Sequence, residues 1–438
     1  MIVRRAVLAA TLIAGILTGT PAAAADTCAA PAPSPTRPGY LIADPDCDLD
    51  GTPFTALPGA RVHTGVENGA AWRIEIPRRW NGRLVVYAHG YRGTGTTVHV
   101  SDPDLREHYI DKGFAWAASS YATNGYDVDQ GVRDTYALIG VFRRILRPKL
   151  VYISGASMGG HVTAVAIERY PRAFAGAMPY CGVLGDVELF DYFLDAGVTA
   201  AALAGVGIEF PLRPGADYPA RWAGQVTRIK AALTEQAWSD VLERRSGGER
   251  PGFAGAFGYW DAASQGGLPF LFSVWPGLSG GTAGIASGNL TDNRRTVYRI
   301  GDTRRLTAAE RELNATVLRV GRTATDGVPR IAGRPPVPVL SLHGIGDLFV
   351  PFSMEQEYAR RAAANGRSHL FVSRAIRDVT HCGFTAGEAT RAFDDLVGWV
   401  ERGRRPSGDP ILDRRAVASP GFGCRFTVGT RPEFPACR

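Results

Sequence analysis

The segment GRLVVYAHG, Gly82–Gly90, is a nearly unbroken apolar run closed by glycine at both ends. A strand with one wet face alternates polar and apolar residues. A strand covered on both faces does not, and this one therefore predicts a parallel sheet sandwiched between helices. Further strand candidates are AAWRIEIP (Ala70–Pro77), which alternates, GFAWAASSY (Gly113–Tyr121), KLVYISGAS (Lys149–Ser157) and AFAGAMPYCG (Ala173–Gly182). Between them, Val132, Tyr136, Ile139 and Leu146 recur at helical spacing, and GGHVTAVAIERYP (Gly159–Pro171) reads as a helix. Strand and helix in alternation predict an α/β fold with a mostly parallel central sheet and helices on both faces.

From about Val183 to Arg334 this rhythm stops, and the chain reads as helix and loop. It returns in PVPVLSLHG (strand), SMEQEYARRAAANG (helix) and SHLFVSRAI (strand, beginning at Ser368 and His369). A last helix opens at Thr385-Ala-Gly-Glu388, the spacing of a capping box, and carries Phe393, Leu396, Val397 and Val400 on one face. The organisation expected is one α/β core over 61–182 and 335–403, interrupted by an inserted lid over 183–334. An irregular extension over 26–60 precedes it and a tail over 404–438 follows. Two independent domains are the alternative. Residues 1–25 read as a secretory signal peptide: Arg4 and Arg5, an apolar run from Ala6 to Leu17, then Ala23-Ala24-Ala25. The run is short for a membrane span.

Export sets the redox context. The six cysteines, at 28, 47, 181, 382, 424 and 437, are even in number and form no C-x-x-C pair, so disulfides are expected rather than zinc sites. Cys28–Cys47 and Cys424–Cys437 are natural local pairs. Cys181 ends the strand after the Gly159–Pro171 helix, at the carboxyl edge of the sheet. Cys382 lies in a loop reaching that same edge, so a third bridge, Cys181–Cys382, is expected. The net charge is +7, with 49 Lys and Arg against 42 Asp and Glu, and the basic residues are scattered. No dense basic tract interleaved with aromatics marks a nucleic-acid surface.

The chemistry is carried by Val151-Tyr-Ile-Ser-Gly155-Ala-Ser157-Met-Gly159-Gly-His. A G-x-S-x-G pattern between a strand and a helix is the context of a nucleophile elbow. The tight turn lifts the Ser157 hydroxyl above the sheet. The glycines let the backbone make the turn, and the following helix aims its free N–H groups at a developing oxyanion, with Met158 N–H as one donor. In such a sheet the acid and then the base follow the serine. His369 and His381 lie late enough in the chain. His381 sits in the loop after SHLFVSRAI and is the stronger candidate base, while His89, His161 and His343 read as loop or core residues. Asp347, in LSLHGIGDLFVP, follows a strand and is the candidate acid; Asp378 is nearer to His381 in sequence but lies on the wrong side of the strand order. The loop AHGYRGTGT supplies Tyr91 as the second oxyanion donor and as a pocket wall. Aromatics of the insertion, Phe257, Tyr259, Trp260, Phe270, Phe272 and Trp275, form either the lid's own core or an apolar wall for an acyl group, with Trp260 and Trp275 as the substrate-contact candidates.

These residues resemble the α/β-hydrolase superfamily, over roughly 61–182 and 335–403. The block THCGFTAGEATRAFDDLVGWVERGRRP is similar to secreted tannase and feruloyl esterase enzymes, which place a cysteine after the catalytic histidine, as Cys382 follows His381. Those enzymes also carry a cysteine before the nucleophile, where this chain has Ala156. The resemblance implies an exported serine hydrolase that cleaves carboxylic esters through an acyl-enzyme, with no cofactor and no metal. Aryl, feruloyl-type and polyester substrates stay open. A peptidase of the same fold and a non-catalytic binding protein on this scaffold are the alternatives. The expected partner is a small or polymeric ester met by a monomer, with no nucleic acid and no membrane once the signal is removed.

Overall fold

The computed structural model describes residues 28–210, 215, 217–263 and 284–437. The signal segment and Asp26 lie outside the described residues, as do Phe270, Phe272 and Trp275.

Eight strands form the central sheet: β1 (Ala60–Glu67), β2 (Ala70–Pro77), β3 (Arg83–Ala88), β4 (Ala115–Ser119), β5 (Leu150–Ala156), β6 (Gly176–Tyr180), β7 (Val339–Gly344) and β8 (Phe371–Ile376). Their order across the sheet is β1-β2-β4-β3-β5-β6-β7-β8. The β1–β2 and β2–β4 pairs are antiparallel and every later pair is parallel. The edge strand β1 is at least partly exposed at every position, whereas β2, second in the sheet, alternates in sequence but is buried almost throughout, because its polar residues Arg73 and Glu75 are themselves buried in ion pairs. The inner strands β4, β6 and β7 are buried at every position, which is why their sequences do not alternate. This order, with one swap between β3 and β4, is that of an α/β-hydrolase fold.

Helices cover both faces. On one lie α2 (Val128–Ile145) and α3 (Met158–Arg169), joined by α4 (Glu188–Leu203), and the short α1 (Arg106–Asp111) packs on the other. The Asp127 side chain caps α2 by accepting from Gln130 N–H. The buried stripe of α2 is Val132, Leu138, Ile139, Val141 and Phe142. Tyr136 and Leu146, expected on that stripe, are exposed, 38% and 39%. Tyr136 instead stacks on Tyr170 at the surface, ring centroids 3.8 Å apart. His369 likewise does not start β8; it lies in a single 3-10 turn, Ser368–Leu370, ahead of the strand.

The first helix after β6 packs into the core. Thirteen of the sixteen residues of α4 are buried; Leu189, Phe190, Tyr192, Phe193 and Ala196 share one apolar cluster with Val86 and Ile153 of the sheet, while Leu194 and Val198 face a second cluster with Tyr298 and Leu313. The two buried acids of α4 hold later parts of the insertion: Asp191 pairs with Arg322, and Asp195 accepts from Tyr298 Oη at 2.5 Å and from Arg245 Nε at 2.6 Å. The insertion continues through α5 (Tyr218–Ala232), α6 (Glu235–Arg245), α7 (Phe253–Ala263) and α8 (Ala308–Thr316). The core resumes with β7, α9 (Ser353–Ala364), β8 and α10 (Ala386–Arg402). Thr385 and Glu388 make both bonds of the capping box, and Gly403 ends α10 at φ 68. Phe393, Leu396 and Trp399 of α10 are buried; Val397 and Val400 are only partly covered.

Buried arginines tie the N-terminal extension and the tail to this core, and each of those segments is closed by its own disulfide. Cys28–Cys47 closes the N-terminal extension, whose strands Ala32–Pro33 and Leu41–Ile42 form a small three-stranded sheet with Thr97–Val98 from the loop after β3. The buried Arg73 of β2 reaches into the extension and bonds Asp48, Asp102 and the carbonyls of Pro45 and Cys47. Cys424–Cys437 closes the tail, and the buried Arg377 donates to the tail carbonyls of Phe422, Pro420 and Pro435. A last short helix, α11 (Arg414–Val417), lies in that tail. Among the described residues no helix is long and apolar enough to cross a membrane.

Candidate active site

Ser157 sits between β5 and α3 with φ 57 and ψ −121, a backbone state that side-chain-bearing residues rarely hold. The close packing around it shows why only glycine fits at three neighbouring positions. A Cβ on Gly159 would stand 1.9 Å from the Ala88 carbonyl oxygen, one on Gly155 would stand 2.2 Å from the Gly159 oxygen, and one on Gly160 would stand 2.5 Å from Gly182 Cα. The start of α3 therefore lies against the ends of β3 and β6, and the turn cannot open. Ser157 N–H donates to the Tyr180 carbonyl at 3.2 Å, and the Ser157 carbonyl accepts from Val183 N–H at 3.1 Å. Met158 is the first helical residue, so its N–H has no acceptor within the helix.

The loop after β3 approaches from the other side. A Cβ added at Gly90 would stand 3.2 Å from Ser157 Cβ and 3.7 Å from its Oγ, so the backbone running into Tyr91 borders the serine hydroxyl. His89 is turned away from it. Its ring stacks on Tyr121 and contacts the carbonyls of Gly90 and Ser120, and burial holds its pKa well below the ordinary value.

The loops after β7 and β8 bring in the other two candidates. Asp347 is fully buried, and its Oδ2 lies 2.6 Å from His381 Nδ1. Its other oxygen accepts from Phe349 N–H and Val350 N–H at 2.8 and 3.0 Å, which fixes the carboxylate in the loop. With Nδ1 engaged, His381 Nε2 is buried without a hydrogen-bond partner among the described residues. Asp378 takes no part: it accepts from Thr380 N–H and Oγ1 and faces Arg431. The two remaining expected core histidines are tied elsewhere, His161 to Tyr126 Oη and the Pro329 carbonyl, His343 to the Val350 carbonyl and, at 3.4 Å, to the buried Glu355.

A bridge joins the serine and histidine loops. Cys181 and Cys382 are disulfide-bonded with Cα atoms 5.2 Å apart, across a sequence separation of 201. A ring nitrogen of His381 lies within 4.8 Å of both sulfurs. Cys181 follows Tyr180, the residue that accepts from Ser157 N–H. Both cysteines have positive φ, 43 and 63.

Two neighbours of these loops, Phe349 and Arg250, escaped the sequence reading. Phe349 presents its ring edge-on to His381, centroids 4.9 Å apart, and stacks with Phe193 of α4 at 6.0 Å. Its position two residues after Asp347 was the available signal. Trp260 of α7, expected from sequence, lies 6.5 Å from Phe349 and donates from Nε1 to the Gly346 carbonyl at 3.2 Å. Arg250, fully buried, donates from Nε to the Ile345 carbonyl at 2.5 Å and from Nη2 to Ser246 Oγ at 2.9 Å. Burial lowers its pKa to about 10. Arg250 and Trp260 thus grip the acid loop on either side, at Ile345 and Gly346. No local pattern announces a contact between residues about 90 positions apart. On the opposite flank, Tyr91 lies 6.4 Å from Tyr126, which meets Phe190 edge-on at 5.0 Å.

No family model matches the chain. Over 106 residues it is 33% identical to o-phthalyl amidase of Xanthobacter agilis, a stretch covering 24% of this chain and 22% of the amidase. The chain thus matches about a fifth of that relative's length. Among solved structures it is similar to feruloyl esterase B from Aspergillus oryzae (14% identity, 86% of each chain, TM-score 0.43). It is also similar to Est1E from Butyrivibrio proteoclasticus (14% identity, 78% of this chain and 98% of that one, TM-score 0.36).

Proposed function

We propose that the protein is an exported serine hydrolase that cleaves carboxylic esters with an aromatic acyl group. The observation that carries the reading is the conjunction at one sheet edge of a strained serine at a strand–helix turn and a histidine oriented by a buried carboxylate. Ser157 Oγ attacks the carbonyl carbon while His381 Nε2 takes its proton. Asp347 holds the imidazole in the tautomer with Nδ1–H and stabilises the imidazolium. The N–H groups of Met158 and Tyr91 receive the oxyanion. His381 then protonates the leaving alcohol, and the acyl group stays on Ser157 until water, activated by the same imidazole, releases the acid.

The acyl assignment rests on the rings carried by, or packed on, the loops that border Ser157 and His381. Phe349 and Trp260 stand on the side of the acid loop, and Tyr91, backed by Tyr126, on the side of the oxyanion loop. A planar aryl group between such walls gains offset or edge-on ring contacts beyond its burial. The three disulfides favour an oxidising compartment, in keeping with the N-terminal signal. An amide leaving group is the second reading, favoured by the stretch shared with a phthalyl amidase. A panel of p-nitrophenyl esters, from acetate through hexanoate to benzoate and cinnamate, run beside the matching anilides, tests both. The aryl-ester reading expects benzoate and cinnamate to exceed the aliphatic esters in kcat/KM. A flat profile across acyl groups would overturn the aryl assignment, and faster turnover of anilides than esters would replace it with the amidase reading.

A further inference from the structure

Apart from this site the structure holds a cleft of about 750 Å³, which shares none of its lining residues with the candidate active site. It lies where four separate segments meet: the end of α6 with the turn after it (Arg244–Glu249), the stretch Val297–Arg304, one side of α9 (Gln356, Arg360), and the tail around α11 (Leu412–Ala418). Six arginines line it, at 244, 245, 299, 304, 360 and 414, against two carboxylates, Glu249 and Asp302. In a chain whose charges are otherwise interspersed, this is a concentrated positive surface.

The arginines divide into two sets. Arg245 is committed to the buried Asp195, and Arg244 to Asp302 and the Ile300 carbonyl, so these two build the wall. Gln356 closes the floor by donating to the Gly247 and Ile411 carbonyls. The side chains of Arg304 and Arg414 make no hydrogen bond or ion pair with any described residue, and both are exposed at the cleft. Arg299 gives one donor to the Thr303 carbonyl, and Arg360 pairs with Glu357 on its own helix. Arg244, Arg245 and Arg360 are thus compensated by carboxylates, while Arg299, Arg304 and Arg414, from different elements, have no ion-pair partner among the described residues, which leaves their mutual repulsion standing. A ligand carrying several oxyanions would relieve it.

We propose that this cleft binds a compact multivalent oxyanion, a polyphosphate or polycarboxylate of small size. Arginine forks match phosphate and carboxylate oxygens in pairs, and a volume of this kind suits a small molecule. The lining contains no aromatic ring, so it offers no stacking platform for the bases of a single-stranded nucleic acid. By joining the insertion, α9 and the tail, the bound anion also ties together segments far apart in sequence.

The test titrates the full chain by calorimetry with tripolyphosphate and, separately, citrate, against sodium chloride at equal ionic strength. The proposal expects saturable binding of one or both that weakens as salt rises, and a raised melting temperature at saturation. The tighter of the two identifies the chemistry of the natural ligand. Arg304→Gln and Arg414→Gln should each weaken binding by about ten-fold or more, as expected for losing a charge-assisted contact. Neither arginine holds the fold together, so both variants should melt like the parent without ligand. Three results would each overturn the proposal: no saturable heat with either anion, unchanged affinity in the double variant, or an oligonucleotide that binds at this cleft as tightly as tripolyphosphate.

Discussion

Replacing Ser157 by alanine and by glycine removes the same hydroxyl but treats the turn differently. The residue is held at φ 57 and ψ −121. For a residue with a Cβ such a state costs about 1–3 kcal/mol, and glycine is free of most of that cost. Glycine also gives the unfolded chain more freedom, which returns about 0.4–1 kcal/mol. The Gly variant should therefore be more stable than the Ala variant by about 1–2 kcal/mol, although glycine elsewhere is the less stable choice. A difference of that size moves the melting temperature of so long a chain by only about 1–2 °C. Equilibrium unfolding in urea, read as the shift in midpoint at constant slope, is the better assay. Both variants should lose esterase turnover by several orders of magnitude. If the Gly variant matched the Ala variant or fell below it, the turn would not be strained, and the account of how Ser157 is presented would be wrong.

Reduction of Cys181–Cys382 should lower activity before the domain unfolds, because the bridge holds two positive-φ residues beside Tyr180 and His381. The Cys181→Ser, Cys382→Ser double variant should lose up to about 5 kcal/mol in the chain-entropy model, more than loss of either shorter bridge. Turnover and near-ultraviolet circular dichroism followed together during reductant titration check this, and simultaneous loss of both signals would refute it. The buried His343 gives a pH effect. Burial alone would lower its pKa, but the carboxylate of Glu355, 3.4 Å away, prevails and raises it above 6.5. The stability it contributes is therefore complete below about pH 6.5 and is lost as pH rises through the folded value. Urea midpoints between pH 6 and 9 should fall more steeply in the parent than in His343→Asn, and parallel curves would contradict the pairing.

Much of the site was legible because its parts are local. The elbow is written in adjacent residues, the Gly155, Gly159 and Gly160 positions being demanded by backbone atoms within 2.5 Å of any added Cβ. The burial of β4, β6 and β7 follows from their lack of alternation, and that placed the loops carrying Asp347 and His381 at one edge. What escaped was long-range or depended on the second face of a helix. Arg250 looks like any surface arginine until α6 and the turn after it are folded against the acid loop. Tyr136 fits the apolar period of α2 but finds Tyr170 at the surface rather than the sheet. The apolar period of α4 likewise does not reveal that the helix belongs to the main core, because its buried acids, Asp191 and Asp195, meet partners more than 40 residues away.

The central claim is that Ser157 carries the acyl group. Rapid quenching of the enzyme with p-nitrophenyl benzoate, followed by peptide mass spectrometry, measures this directly. A benzoyl adduct is predicted on the peptide containing Ser157, formed with a burst of p-nitrophenol and absent from both Ser157→Ala and His381→Ala. An adduct on any other residue, or full ester turnover by Ser157→Ala, would contradict the account.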